Sequence, residues 1–321
     1  MRIEAITGAL ADLTRLRILR LLGQLELAVG ELAQVLGQSQ PRVSRHVAVL
    51  ADAGLVERRR EGSWVFLRRA LSADIPEAIG EAVAAMIEAG ETGDVSFRSQ
   101  CNDDRRHLAA IRDAREKAAE AYFASHAAEW DEWRALLSPA EKVEQTLLEE
   151  LGNAPLGRLL DIGTGTGRMA ELLSARSSHV VALDRSPEML RLARARLQTL
   201  EPEHWELVQG DFATLPFAPD SFDTLILHQV LHFAGEPFYA LSQAARVCCP
   251  GGRVVIVDFA AHDREDLRRR HAHVRLGFTP EQMSRLLADV GFSAPEPIRL
   301  HGNGLTTLIW IGEKLAPAAP S

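Results

Sequence analysis

Arg158-Leu159-Leu160-Asp161-Ile162-Gly163-Thr164-Gly165-Thr166-Gly167 decides how the second half of this 321-residue chain is read. Its apolar opening makes a buried strand, three glycines follow at once, and Met169-Ala170-Glu171-Leu172-Leu173 begins a helix. Glycines at a strand-to-helix turn let a ligand approach the backbone closely. A second strand, 179–183, is followed by Asp184, 21 residues beyond Gly163. That spacing suits a carboxylate that grips both hydroxyls of a ribose. From residue 157 onward strands alternate with helices, the signature of a parallel sheet.

The turn reads GxGxG, so the pyrophosphate fingerprint GxGxxG is not met. Asp161, just ahead of the glycines, would repel a pyrophosphate and tolerate a cation. S-adenosyl-L-methionine carries an ammonium and a sulfonium and no phosphate, and it is the expected ligand. Gly210-Asp211-Phe212 follows a third strand, 205–209. There an acid can accept from an adenine amino group while the phenylalanine packs on the ring; alternatively Asp211 caps the loop. Ser221 to His228 gives a fourth strand, and Pro250-Gly251-Gly252 introduces a fifth over 253–259.

Together with Leu215-Pro216-Phe217 and Leu231-His232-Phe233, these segments resemble class I methyltransferases of the ubiquinone/menaquinone-biosynthesis type, over roughly residues 145–312. The resemblance implies a Rossmann-like fold whose seven-stranded sheet ends in an antiparallel hairpin, supplied by 295–300 and 305–311. It implies that Asp161, Gly163, Gly165, Asp184, Met189, Asp211, Phe212 and His228 line the cofactor. Met189 is either a cofactor contact or plain core.

The first 70 residues differ in kind. They hold 11 arginines against seven carboxylates, +4, which leaves −12 for the remainder of a chain of net charge −8. A basic module on an acidic body points to nucleic acid at one end only. Leu32, Val35 and Leu36 follow the i, i+3, i+4 rule of a short amphipathic helix ended by Gly37. Ser39 and Pro41 open the next helix, which buries Val43, Val47 and Leu50. Its other face offers Gln40, Arg42, Ser44 and Arg45. Two short helices joined by a tight turn make a helix-turn-helix, and the second enters the major groove of double-stranded DNA. Arg and Gln there match guanine and adenine edges. His46 either joins them or wedges against an earlier helix. Two β-prone runs flank Glu61-Gly62, which predicts a hairpin whose arginines, Arg58 and Arg60 among them with Arg59, Arg68 and Arg69, meet phosphates.

Ala11-Asp12-Leu13-Thr14-Arg15-Leu16-Arg17-Ile18-Leu19, Ser44-Arg45-His46-Val47, Leu50-Ala51-Asp52-Ala53-Gly54-Leu55-Val56 and Arg60-Glu61-Gly62 resemble the ArsR/SmtB winged-helix repressors over about 75 residues. That resemblance implies a homodimer that leaves an operator when an inducer binds. Arsenic sensors of this kind place cysteines where this chain has Leu27-Ala28-Val29-Gly30, so that site does not carry over. A helix from Pro76 carries Ile79, Val83, Met86 and Ile87 on one stripe, which suits either a dimer interface or packing within one chain.

The expected organisation is multidomain, α and α/β. It runs as a winged helix-turn-helix over 1–75, a helical dimerisation, linker and lid region over 76–150, and the methyltransferase domain over 151–314. A disordered tail over 315–321 closes it. The helical region should break at Gly90-Glu91-Thr92-Gly93-Asp94 and at Ser138-Pro139. No apolar run reaches the ~20 residues that span a bilayer, and the N-terminus lacks a signal-peptide core; no membrane partner and a cytoplasmic location are expected. Cys101, Cys248 and Cys249 make neither a disulfide framework nor a zinc site, and no metal is expected. The neighbours Cys248 and Cys249 either capture a soft metalloid or are two small residues at a helix end.

Methyl transfer needs an acceptor in line with the sulfonium and, for a hydroxyl or carbon acid, removal of a proton. His228, His232, Tyr122, His126, His271 and His273 are candidates, and none sits in a pattern that assigns it as base. Trp130 and Trp133 either close a lid or pack a helix on the sheet. Arg268-Arg269-Arg270 either meet an anionic acceptor or face solvent. Three readings stay open. One is a regulator whose methyltransferase-like domain senses S-adenosylmethionine or S-adenosylhomocysteine. Another is an active enzyme on a small-molecule acceptor that regulates its own operon, and the third is an enzyme with a winged helix kept for dimerisation.

Overall fold

The computed structural model describes residues 3–23, 27–61, 64–69, 75–126, 138–302 and 304–315. The chain divides into two compact units, Met1–Lys117 and Ala118–Ser321. Gly62, Ser63, Trp130, Trp133 and the tail from Ala316 lie outside the described residues, as do the side chains of Tyr122 and His126.

The first unit opens with α1 (Ile3–Leu10) and α2 (Leu13–Leu22), the second capped by Asp12, whose carboxylate accepts from the Arg15 N–H. After the two-residue strand β1 (Leu27–Ala28) come α3 (Val29–Leu36) and α4 (Gln40–Asp52). Gly37 ends α3 at φ 63°, a left-handed turn that glycine adopts without strain. Pro41 sits in the first turn of α4, where its missing N–H costs nothing. β2 (Val56–Glu61) and β3 (Trp64–Arg69) pair antiparallel, and β1 adds to β3 to complete the wing. Val43, Val47 and Leu50 are buried from α4 against Ile18, Leu32, Val35 and Leu67.

α5 (Glu77–Gly93) and the start of α6 (Val95–His126) finish this core. Val83 and Ile87 are buried in it, Ile79 packs on it, and Met86 stands exposed. Ile79, Val83 and Ile87 of the stripe are thus packed within this unit. The expected break over 90–94 is tighter than glycine content suggested. α5 continues to Gly93, and Asp94 alone turns the chain, its carboxylate accepting from the N–H groups of Ser96 and Phe97 at 2.8 and 3.0 Å. A side-chain cap at the start of α6 outweighs the helix-breaking tendency of the two glycines.

In the second unit, α7 (Ala140–Glu150) follows Ser138-Pro139. Then follow β4 (Gly157–Ile162), α8 (Arg168–Ser174), β5 (Ser177–Asp184), α9 (Pro187–Leu197), β6 (Trp205–Gln209) and β7 (Phe222–His228). The chain closes with α10 (Pro237–Val247), β8 (Cys248–Phe259), α11 (Glu265–Arg270), α12 (Pro280–Asp289), β9 (Ile298–His301) and β10 (Thr306–Glu313). These strands form one sheet in the order β6-β5-β4-β7-β8-β10-β9, parallel except for β10, which runs antiparallel to both neighbours. β8 starts five residues earlier than the Pro-Gly-Gly reading gave, at Cys248.

Successive residues feed opposite faces, as a strand's two-residue period requires. Leu160, Ile162, Leu225, Leu227 and Ile256 join one core with α10 and α12. Leu159, Ile226, Val255 and Val257 join the other with α7, α8 and α9. Both faces are covered, which is why these strands read as continuous apolar runs. Sequence moves outward from β4 to β6 on one side and from β7 to β8 on the other. The strand order thus reverses between β4 and β7, and in open α/β sheets ligands bind at the carboxyl ends beside such a reversal.

Candidate functional site

At that reversal the chain leaves β4 through the glycines. Gly163, Gly165 and Gly167 take φ of 72°, 54° and 82°. At Gly163 a Cβ would lie 2.4 Å from Val230 Cγ2, so a side chain is excluded by space as well as by backbone. The Gly163 and Thr164 N–H groups donate to the Leu183 carbonyl at 2.8 and 2.9 Å. Asp161 is buried and braces the turn from beneath: its Oδ2 accepts from the Thr164 hydroxyl at 2.6 Å and the Ala170 N–H at 3.1 Å.

Asp184 ends β5 half-buried. Its Oδ2 accepts from the Gly165 N–H at 2.8 Å and its Oδ1 from the Ser186 N–H at 2.9 Å. Burial pushes this carboxyl above the usual aspartate range, and the backbone donors of Ser186, Gly165 and Arg185 oppose it. Each carboxylate oxygen has a second lone pair, so a diol can still be accepted beside these two bonds. A turn of three left-handed glycines, next to a carboxylate already aimed by the turn's own N–H, fits an adenosyl ligand.

The other expected cofactor residues divide. Met189 is buried in the first turn of α9, which Ser186 caps. Asp211 acts as a loop cap, accepting from the Ala213 N–H at 2.7 Å, with Arg185 Nη1 3.6 Å away. Phe212 packs at the edge of the core beside it. His228 ends β7, paired in register with Val257. Asp161, Gly163, Gly165 and Asp184 are thus brought together, and Asp211 joins them through the Gly210 N–H, which donates to the Asp184 carbonyl at 3.0 Å.

Sequence reasoning left a second group unassigned. Gln229 follows β7 at φ 53°, a left-handed backbone rare for a residue with a side chain. His232, buried in the one-turn 3-10 helix Leu231–Phe233, places Nδ1 2.8 Å from Asp258 Oδ1. His273 lies 4.2 Å from it, centroid to centroid. Arg268 is drawn into its own segment, donating to the Val274 carbonyl at 3.2 Å and pairing with Glu265. The side chains of Arg269 and Arg270 lie outside the described residues.

Cys248 is buried and its thiol is pushed up to about 12 by that burial. Cys249 Sγ donates to the Asp220 carbonyl at 3.2 Å. Of the two readings of this pair, the structural one fits.

In the first unit, Gln40, Arg42, Ser44 and Arg45 all stand exposed on α4, opposite its buried Val43, Val47 and Leu50. His46 is turned inward, its Nδ1 3.7 Å from the Asp12 carboxylate at the start of α2. Arg58 is exposed on β2; the side chain of Arg60 lies outside the described residues, although its backbone pairs with Val65. Two wing arginines are engaged within the unit. Arg68 pairs with Glu57 across the hairpin at 2.5 Å, and Arg69 donates to the Gly80 carbonyl at 3.1 Å.

Residues 12–58 match the family model described as the bacterial regulatory protein, arsR family. Residues 160–256 match a methyltransferase domain. A 37.1 kDa protein in transposon TN4556 of Streptomyces fradiae is 33% identical over 177 residues, 50% of this chain and 50% of that protein. The demethylmenaquinone methyltransferase of Clavibacter sepedonicus is 41% identical over 103 residues, 32% of this chain and 41% of that enzyme. The chain thus spans about half the length of these curated relatives or less. Among solved structures, a chain of the Haloferax volcanii Trm112 methyltransferase activator complex superposes with TM-score 0.50 at 20% identity, covering 60% of this chain and 98% of that one. At that identity the likeness shows the fold.

Proposed function

We propose, for a chain that joins an ArsR-family helix-turn-helix to a methyltransferase domain, that it is a DNA-binding regulator whose second unit binds S-adenosyl-L-methionine, methylates a small molecule and couples cofactor state to operator binding. The observation that carries the cofactor half is the Asp184 carboxylate held by the Gly165 N–H beside a glycine turn that leaves no room for a Cβ at Gly163. The DNA half rests on the exposed Gln40, Arg42, Ser44 and Arg45 face of α4, opposite a fully buried one.

Asp184 would hold the ribose hydroxyls, the glycine backbone would lie against the adenosyl group, and Phe212 would pack on the base with Asp211 beside it. S-adenosylmethionine supplies an electrophilic methyl group; the protein places the acceptor and takes up its proton. On the DNA side, α4 would enter the major groove, with Arg42, Arg45 and Gln40 reading base edges and Arg58 and Arg60 near phosphates. A homodimer would match a palindromic operator, since half-sites related by a twofold call for a twofold protein.

Coupling requires the cofactor to bind the on-DNA and off-DNA states with different affinity, and the effect is reciprocal. The test is calorimetric titration of the whole protein with S-adenosylmethionine and S-adenosylhomocysteine, without and with a saturating operator fragment. Saturable binding whose affinity shifts with DNA supports the reading. Binding with no shift removes the coupling and leaves two independent activities; absence of binding removes the cofactor itself. A protein that binds S-adenosylhomocysteine tightly and transfers no methyl group would be a sensor alone.

A further inference from the structure

Around the end of β8 the second unit gathers polar side chains that the cofactor cradle does not use. Asp258 is fully buried and accepts three hydrogen bonds. Its Oδ1 takes the His232 ring at Nδ1 (2.8 Å) and the Phe259 N–H (2.8 Å), and its Oδ2 takes the His232 N–H (3.2 Å). A carboxylate seated on Nδ1 fixes the tautomer, leaving the lone pair on Nε2 of His232. The main chain holds the ring as firmly, for the His232 carbonyl accepts from the N–H groups of Val274 and Arg275.

Three buried polar atoms nearby have no hydrogen-bond partner among the described residues: Gln229 Nε2, His262 Nε2 and His273 Nδ1. Buried polar atoms are nearly always satisfied, so these groups call for a partner beyond the described residues, a place that a bound acceptor can fill. The Arg264 N–H donates to His262 Nδ1 at 3.1 Å, which puts that ring's hydrogen on Nε2 and makes the orphan a donor. Burial holds His262 down at about 4, with His232 and Arg264 adding to the effect, and His273 below its usual range, so both rings are neutral. Phe233 and Phe259 supply flat apolar walls, 4.0 and 5.1 Å from the His232 centroid. The charged or titratable groups that bear on the cluster are Asp258, Asp263, Arg264, Arg268 and His271, besides its own histidines.

The position matters as much as the chemistry. His232 follows Val230, the residue that fills the space beside Gly163, by two positions. β7, whose carboxyl end leads into Gln229, is the strand next to β4, and β8, whose carboxyl end carries Asp258, is the next one out. The cluster therefore lies one to two strands over from the cradle, at the same carboxyl end of the sheet, where an acceptor must sit to meet a methyl group.

We propose that His232, seated on Asp258, is the base that takes the proton of an aromatic hydroxyl acceptor, and that Gln229, His262 and His273 hold that acceptor's polar groups. The inference rests on the methyltransferase reading above. As the acceptor oxygen forms its bond to the methyl carbon, the carbon–sulfur bond breaks and the sulfur keeps that electron pair as a neutral thioether. The acceptor proton moves to His232 Nε2, so the positive charge lost from the sulfonium reappears on an imidazolium that Asp258 stabilises. An amine acceptor needs no such base before attack; an oxygen acceptor does.

The experiment uses 4-nitrocatechol, whose ionised form absorbs at longer wavelength, added to the full-length protein with saturating S-adenosylhomocysteine at a pH below the probe's own ionisation. The expected result is a bound probe showing the ionised band. That band should be lost in His232→Asn, reduced in Asp258→Asn and unchanged in His204→Asn, a surface control. Methyl transfer to the probe should fall by roughly 10²–10⁴-fold in His232→Asn. S-adenosylhomocysteine affinity, measured on every variant, reports its folding, and Asp258→Asn decides if His232→Asn does not fold. A band unaltered in both variants overturns the assignment and leaves the methyltransferase reading intact, as does failure of the probe to bind a protein that binds S-adenosylhomocysteine. Failure of S-adenosylhomocysteine to bind the wild-type protein overturns both.

Discussion

The α4 face of the first unit and the glycine turn of the second are both built for ligands, and they are built in opposite ways. On α4 the helix backbone does the positioning, and Gln40, Arg42, Ser44 and Arg45 project into solvent from a rod anchored by Val43, Val47 and Leu50. At the glycine turn the polar groups are already tied to one another: Asp161 to Thr164 and Ala170, Asp184 to Gly165 and Ser186. A duplex presents a long regular surface, so a rigid helix with adaptable side chains reads it. A small cofactor must find its partners pre-aimed, because little binding energy is available to organise them. The difference teaches where substitutions should hurt: in affinity alone at α4, and in affinity together with stability at the turn.

The sharpest way to break this contrast is Asp184→Ala. It should weaken S-adenosylhomocysteine binding by on the order of 100-fold, ~3 kcal/mol for hydrogen bonds to a charged group, read by calorimetry. Operator affinity without cofactor should not change. Gly163→Ala comes next. A Cβ at 2.4 Å from Val230 on a backbone at φ 72° should lower stability by about 2 kcal/mol. Thermal unfolding of the second unit should then fall by roughly 4–8 °C.

Arg45→Ala should cost about 1.5 kcal/mol, roughly tenfold, in operator affinity, measured by fluorescence anisotropy. Its melting temperature should match the wild type; a large drop would mean that α4 is not the passive rod described here. The smallest effect is expected at Glu91. Arg105 and Arg20 hold its carboxyl below the ordinary value of 4.5, through contacts of 2.5 and 2.7 Å. A depressed folded value means that the pair's stability is complete above pH 4.5 and is lost as pH falls through the folded value. Acid titration of the melting temperature should therefore be shallower in Glu91→Gln, by less than ~1 kcal/mol in stability.

What could be read before the structure was local. The glycine turn, Asp184 at its fixed spacing and the α3–α4 pair each depend on residues a few positions apart, and the periodicities of strand and helix place them. His232 and Asp258 are 26 residues apart and meet because β7 and β8 lie side by side, which no spacing rule encodes. The wing shows another kind of miss. Arg58, Arg59, Arg60, Arg68 and Arg69 read as one basic stripe, yet Arg69 is turned to a carbonyl of α5 and Arg68 is held by Glu57. Charge composition fixes how many cations there are, while local packing decides which of them face outward.

The turn at Gly163–Gly167 also has a consequence for timing. Its shape is set by the chain's own hydrogen bonds, so a cofactor entering it need not wait for a loop to fold. Exchange of one cofactor form for the other is then limited by departure of the bound molecule. A protein with this cradle would report the current ratio of methylated to demethylated cofactor with a lag equal to one residence time, and it would keep no memory of earlier ratios.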